Sequence, residues 1–458
     1  MLLLHFFTPK IAHSSYILAG SQTCAVIDPR RDVQVYIDAA KSLGMKITHV
    51  LETHLHADFI SGHLDLAEKT GAIIYAPKSA GCAFDHVALS EGDEIAFEDI
   101  VLQVLETPGH TPEHISYVVI DTSRGSEPVG VFCGDTLFVG DVGRPDLFPG
   151  KAEELAKALF SSLHDKLLKL PDFCEVLPAH GAGSLCGRAM GAKWRSTIGY
   201  ERLYNSALQI RERDEFIESL TTDMPPAPDH FSRCSAINGK GPALVRSLSV
   251  PKELNPLEFA AEAAREDTVV LDIRPYAAFG GQHIAGAYHI DFGGNFPTFA
   301  GWIMPPEKDI LLVVPEAVQV SDVLDWLRRV GVDRISGALV GSLYAWAAAG
   351  LPADHLRQLS STELQDKLRD KEDAILVDVR APGEYESEHI SSAINIPVAE
   401  LRTRHEELDK SKPVILMCST GHRSSLGASI LLMNDFEKVY NVAGGMTGYL
   451  AAGLPTDI

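Results

Sequence analysis

Five stretches of the chain set reactive side chains where chemistry can use them. Four carry His and Asp: Glu52-Thr53-His54-Leu55-His56-Ala57-Asp58-Phe59, Thr107-Pro108-Gly109-His110, Cys133-Gly134-Asp135-Thr136 and Leu177-Pro178-Ala179-His180-Gly181. Each places an imidazole or carboxylate just after an apolar, strand-like run and beside Gly or Pro. Side chains from several strand ends converge on one cation in this way, and imidazole with carboxylate suits zinc or non-haem iron. The fifth stretch is Cys418-Ser419-Thr420-Gly421-His422-Arg423-Ser424-Ser425, between the apolar run Val414-Ile415-Leu416-Met417 and an apolar helix start at 428–432. A Cys at such a junction is ringed by backbone N–H groups, and the helix's positive end favours an anion. Arg423 adds a fixed positive charge, and His422 is a candidate substrate contact.

The elements that must carry these residues can be read from pattern. Over 1–190, short β-rich runs (15–19, 24–28, 72–75, 101–105 and 115–120) alternate with Gly/Pro punctuation, and 33–43 and 152–170 carry helical spacing. Residues 191–220 read as mostly helical. The Pro-, Gly- and Ser-rich stretch from Met224 to Pro256 reads as a linker. The remainder is an internal repeat. Leu271-Asp272-Ile273-Arg274 recurs as Val377-Asp378-Val379-Arg380, and His283-Ile284-Ala285-Gly286-Ala287 recurs as His389-Ile390-Ser391-Ser392-Ala393, both at an offset of 106. Two copies are two domains rather than a solenoid. In the first copy Pro315 stands where Cys418 stands in the second, and no Arg follows in that loop. Pro has neither thiol nor N–H, so this copy is expected to be silent, positioning the other copy or forming a dimer interface. His283 and His389 are expected to fix turns. His63, His86, His114 and His164 read as packing residues.

Composition limits the function. With 40 Lys+Arg against 62 Asp+Glu in 458 residues, the net charge is −22. That argues against nucleic acid. Residues 51–150 hold 4 basic and 17 acidic residues, whereas 151–250 hold 13 and 12. An anionic substrate would have to find local positive charge, at Arg144 or within 151–250. No apolar run reaches membrane-spanning length. The short apolar N-terminus reads as a strand rather than a signal peptide. The seven cysteines lack a disulfide framework, which points to reduced thiols and a cytoplasmic location.

The four His/Asp blocks resemble the metallo-β-lactamase superfamily in its glyoxalase II-like branch. Hydrolases of that family carry His-x-His-x-Asp-His and two metals. Here Phe59 occupies the last position of that motif, which removes a ligand from the second metal and favours a mononuclear centre. In the related persulfide dioxygenases one iron is held by residues matching His54, His110 and Asp135. The resemblance therefore implies one Fe(II) per chain, with zinc as the alternative. His56, Asp58 and His180 would then orient ligands or water. Arg144 is either a carboxylate-binding residue for a thiol carrier or a loop Arg paired with Asp141 or Asp146. Cys186 is either a participant in persulfide handling or a small buried thiol.

The fifth stretch is similar to the rhodanese active loop, with Val377–Arg380, Glu388-His389-Ile390 and Asn441-Val442-Ala443-Gly444-Gly445 matching its supporting motifs. The resemblance makes Cys418 a nucleophile that carries sulfane sulfur as Cys-S-S⁻, with Ser419, Thr420, Gly421, His422, Arg423 and Ser424 as its cradle. Cysteine phosphatases cradle phosphate similarly but with one residue more between Cys and Arg. The smaller ring suits sulfur better.

The expected architecture is α/β. A metallo-β-lactamase αββα sandwich spans 1–223, a linker 224–256, a silent rhodanese-like domain 257–355 and an active one 356–458. The whole resembles bacterial persulfide dioxygenase–sulfurtransferase fusions. That implies oxidation of low-molecular-weight thiol persulfides by O2 to sulfite, thiosulfate formation or use at the cysteine, and sulfide detoxification in a cytoplasmic homo-oligomer. The alternative is a dinuclear zinc thioester hydrolase of glyoxalase II type with a sulfurtransferase module.

Overall fold

The computed structural model describes every residue except Asp223 and Pro225, at the start of the expected linker, and Ile458. The chain forms two compact units, Met1–Leu248 with Leu327–Gly331, and Ser249–Trp326 with Val332–Ile458.

The first unit is an αββα sandwich of two six-stranded sheets. One runs Leu2–Thr8, His13–Ala19, Thr23–Ile27, Lys46–Leu51, Ile73–Pro77 and Val87–Leu89, antiparallel at first and parallel from Thr23–Ile27 onward. The other runs Ser196–Thr197, Glu175–Pro178, Pro128–Gly134, Ile115–Asp121, Ile100–Glu106 and Glu94–Phe97. Strand side chains alternate between faces, so each sheet serves two cores. Tyr16 and Leu18 face inward with Leu102, Tyr117 and Phe132 of the opposite sheet. Their neighbours Ile17 and Ala19 pack outward with Tyr36, Ala40 and Leu66 of the helices Gln34–Ser42 and His63–Thr70. On the far side, Val131 and Val176 pack against Leu159 and Phe216 of the helices Ala152–Ser161 and Arg213–Thr221.

Within the stretch expected to be a linker, His230–Lys240 forms a helix that belongs to this first unit. Phe231, Cys234 and Asn238 are buried on one face of it. Their three- and four-residue spacing is helical, but the surrounding Pro, Gly and Ser obscure it.

The second unit holds two five-stranded parallel sheets with the same strand order. The repeat extends to side chains. Arg274 clasps Asp272 and reaches the Gln282 carbonyl, as Arg380 clasps Asp378 and reaches the Glu388 carbonyl. His283 Nδ1 bonds the Phe279 carbonyl, and His389 Nδ1 the Tyr385 carbonyl. Among the described residues, no helix is long and apolar enough to cross a membrane.

A candidate metal centre and a reactive cysteine loop

The His/Asp blocks meet at the carboxyl ends of four strands. His54 follows Lys46–Leu51, His110 follows Ile100–Glu106, Asp135 follows Pro128–Gly134 and His180 follows Glu175–Pro178. All four side chains are fully buried or nearly so. His54, His110 and Asp135 bring their ligand atoms within 4.8 Å of one another. Nε2 of His110 lies 3.3 Å from Asp135 Oδ2, and Nε2 of His54 lies 3.8 Å from it.

The surroundings aim these atoms. His110 donates Nδ1–H to the Arg144 carbonyl at 2.9 Å, which leaves Nε2 as the electron-pair donor facing Asp135. That buried Nε2 has no hydrogen-bond partner, as expected of an atom meant for a cation. Nδ1 of His54 is held at 2.8 Å by Thr53 Oγ1, whose hydroxyl donates to Asp28. Gly143 packs so tightly on the Asp135 carbonyl and on His110 that a Cβ there would collide with the carbonyl oxygen. Burial first, then the neighbouring imidazoles, hold His54 well below the usual histidine range. Burial also lowers His110. Neutral imidazoles are the form that binds metal. Burial alone would raise Asp135, but the charge of His180 and its hydrogen bond, foremost among the neighbouring imidazoles, outweigh it and keep the carboxylate ionised.

His180 spans two carboxylates. Its Nδ1 contacts Asp135 at 2.8 Å and its Nε2 contacts Asp58 at 2.9 Å. Burial opposes its charge, but the two carboxylates raise it well above the usual range. Asp58, His180 and Cys186 form a second compact buried group. Burial pushes the Cys186 thiol up, and it packs with Ala57, Phe138 and Phe231. His56 contacts Asp28 at 3.2 Å and Glu52 at 3.8 Å, a third such group. Phe59 is fully buried, its ring 4.1 Å from His13 and 4.4 Å from His56.

Two residues have parts that the sequence did not disclose. Arg144 is buried, with its guanidinium in a two-pronged bond to Asp146 at 2.7 and 2.6 Å and a further bond to the Leu185 carbonyl. It thus contributes its backbone carbonyl to the centre. His114, expected only to pack, accepts the Asp135 backbone N–H at Nε2 and stacks on His54. Burial depresses it to about 3, so it stays a neutral acceptor. Its four-residue distance from His110 was the available signal.

In the second unit Cys418 directly follows the strand Val414–Met417 and is buried ahead of the helix His422–Met433. The Gly421 N–H and the Ser424 hydroxyl donate to its sulfur at 3.1 and 3.3 Å. Met446 N–H and Thr447 N–H hold the carbonyls of Cys418 and Ser419. Gly445, at φ +53°, admits the Cys418 carbonyl where a Cβ would collide with it. Arg423 does not stand as an isolated charge. Glu384 takes both its Nη groups and the Ser419 hydroxyl. Sequence reasoning missed Glu384, whose local signal is the helix start Pro382-Gly383-Glu384.

Residues 9–180 match the family model of the metallo-beta-lactamase superfamily, and residues 360–452 match that of the rhodanese-like domain. The persulfide dioxygenase ETHE1, mitochondrial, of Mus musculus is 32% identical over 239 residues, covering 50% of this chain and 85% of that protein. A hydroxyacylglutathione hydrolase of Rhizobium johnstonii is 30% identical over 250 residues, covering 53% and 88%. The crystal structure of a metallo-beta-lactamase from Staphylococcus aureus is 35% identical with a TM-score of 0.66, covering 74% of this chain and 98% of that one.

Proposed function

Because the chain belongs to the metallo-β-lactamase superfamily, with a rhodanese-like domain fused to it, we propose that it oxidises low-molecular-weight thiol persulfides at one ferrous ion and passes sulfane sulfur through Cys418. The observation that carries this reading is the compact set of two imidazoles and one carboxylate, His54, His110 and Asp135. Two His and one carboxylate are the ligands of non-haem Fe(II) oxygenases. The likeness to a persulfide dioxygenase supports it.

When bound, ferrous iron supplies the redox chemistry by which O2 reacts with a persulfide sulfur. The chain's own residues do the rest. The Arg144 carbonyl and Thr53 fix the two imidazoles. His180 couples Asp135 to Asp58, and buried Phe59 sets an apolar ring against His13 and His56. The net oxidation consumes one persulfide, one O2 and one water and yields one thiol and sulfite. Sulfite then attacks the outer sulfur of a Cys418 persulfide. The Cys–S–S bond breaks, a sulfur–sulfur bond to sulfite forms, and thiosulfate leaves the Cys418 thiolate behind. One chain carrying both sites raises the effective concentration of the first product at the second. The seven free thiols suit the reducing, cytoplasmic setting we assign to it, and the proposed chemistry suits sulfide detoxification. We expect a homo-oligomer.

A second reading has its own support. The Asp58, His180 and Cys186 group could hold another ion, and a hydroxyacylglutathione hydrolase is 30% identical. That reading is a dinuclear zinc thioester hydrolase with a sulfurtransferase module. Metal analysis and O2 uptake with a panel of thiol persulfides separate the two. One iron per chain and uptake with at least one persulfide support the dioxygenase. Two zinc ions and no uptake return the protein to the hydrolases.

A further inference from the structure

The copy without a cysteine reaches the loop of the copy that has one. Asp291 Oδ2 lies 3.1 Å from Nδ1 of His422. Asp291 is itself fixed, accepting N–H bonds from Gly293 at 2.9 Å and Tyr276 at 3.2 Å. The Tyr276 ring meets His422 edge-on at 5.1 Å. Behind the loop, His289 of the silent copy donates its N–H to Ser429 Oγ at 3.0 Å, and its Nδ1 lies 2.9 Å from Ser425 Oγ, both on the helix that begins at His422. In front of the loop is a cavity of about 540 Å³ with walls from both copies, Asp291, Asn295 and Phe299 on one side and Thr420, His422 and Arg423 on the other.

Size and charge narrow what fits. Sites for drug-sized ligands run from about 300 to 1,000 Å³, far more than an inorganic sulfur oxyanion fills. The permanent cation of the cavity wall, Arg423, is already matched, and the His422 ring has an acid of its own beside it. Arg423 is clasped by Glu384, and His422 lies against Asp291. A dianion such as thiosulfate is best served by uncompensated cations, whereas a ligand bearing both ammonium and carboxylate is complementary to alternating charges. The half-buried Phe299 adds an apolar wall that an inorganic ion cannot use.

We infer that the silent copy is one half of the sulfur-transfer site. Its Phe299 and Asn295 wall receives the organic part of an amino-acid- or peptide-derived thiol persulfide, and its Asp291 is a positioning residue that holds His422 at the mouth of the Cys418 loop. The inference rests on the reading of Cys418 as a sulfur carrier. The Cys418 thiolate attacks the outer sulfur of R–S–S–H. The bond between the two persulfide sulfurs breaks and a new S–S bond to Cys418 forms; the departing thiolate R–S⁻ takes the proton from the transferred sulfur, leaving Cys418–S–S⁻ and R–SH. Sulfur moves with its electron count balanced by the exchange, so no oxidant or reductant is consumed.

The test is the rate of sulfur loading on Cys418 of the full-length chain under nitrogen, read by intact mass spectrometry. Glutathione persulfide and thiosulfate are the two donors. Phe299→Ala and Asp291→Asn are each expected to shift the ratio of the two donors' KM values about tenfold against glutathione persulfide, the scale on which one lost pocket contact discriminates. Asp291→Glu is expected to restore much of the ratio. A ratio that neither Phe299→Ala nor Asp291→Asn moves, although the parent chain loads, overturns the role of the silent copy alone. A parent chain that loads from no donor overturns the sulfur-carrier reading and this inference with it.

Discussion

Arg423 lays both Nη groups along the carboxylate of Glu384, at 2.6 and 2.7 Å, across 39 residues of sequence. The same carboxylate takes the Ser419 hydroxyl, so one acid orders two members of the loop around Cys418. Paired forks of this kind add geometric definition as well as energy. Glu384→Gln keeps the size but loses the charge and one acceptor oxygen. We expect kcat/KM for sulfur loading of Cys418 to fall about ten- to a hundredfold, the scale of lost orientation at a reacting centre. Far-UV circular dichroism should stay unchanged. A loading rate equal to the parent's would show that Arg423 needs no fixing.

The pair also sets a pH window. Burial alone would raise the Glu384 carboxyl, but the Arg423 hydrogen bonds and charge outweigh it and bring it down from 4.5 to about 2. A carboxyl depressed in the folded state stabilises the fold above its unfolded value and loses that contribution as pH falls through its folded value. The difference in urea midpoint between the parent and Glu384→Gln should therefore be full at neutral pH. It should shrink between about pH 4.5 and 2, the span of the shift. A difference that is constant over that span would assign the effect of the substitution to packing.

The chemistry was legible in the sequence wherever it lies in short stretches after strands. His54, His110 and Asp135 could be grouped because each follows an apolar run, and the run itself delivers them to one end of the sandwich. The duplicated sheets could be read from the Asp272/Arg274 and Asp378/Arg380 pairs because each pair closes within two residues. Partners met through tertiary packing were not legible. Nothing near Arg423 names Glu384, and nothing near His422 names Asp291, 131 residues earlier. Arg144 was legible only in its side chain, for which a pair with Asp146 was one of two readings; its backbone carbonyl, which holds His110, is an atom every residue has and carries no sequence signal.

The two centres should be separable by single substitutions. His110→Ala removes one of the three proposed ligand side chains, and Asp135→Asn removes the carboxylate charge. Either should bring bound metal to near zero and abolish O2 uptake, while loading of Cys418 from a persulfide stays within about twofold of the parent, since sites that share no partner residue act independently. His180→Gln is milder. Residues that orient ligands cost about 10- to 100-fold in metal affinity when replaced. Metal content after dialysis against graded chelator checks the order, and equal loss from His180→Gln and His110→Ala would make His180 a ligand.

Gly445 tests how closely the cysteine loop must be wrapped. It has φ +53°, and a Cβ on it would overlap the Cys418 carbonyl oxygen and press on the Ser419 backbone. Both objections to a side chain act at one position, and neither neighbour can yield without moving Cys418. The Met446 and Thr447 N–H groups that anchor those two carbonyls follow directly in the chain, so relief of the overlap would break that anchoring as well. Gly445→Ala should destabilise the fold by about 1–3 kcal/mol, the range for a strained backbone conformation. It should also slow sulfur loading of Cys418 more than Gly453→Ala, which shares the left-handed backbone at φ +66° but has open space around it. Thermal unfolding and loading rates of the two variants, measured side by side, separate strain from collision. Equal rates would mean that the loop tolerates displacement of the Cys418 carbonyl.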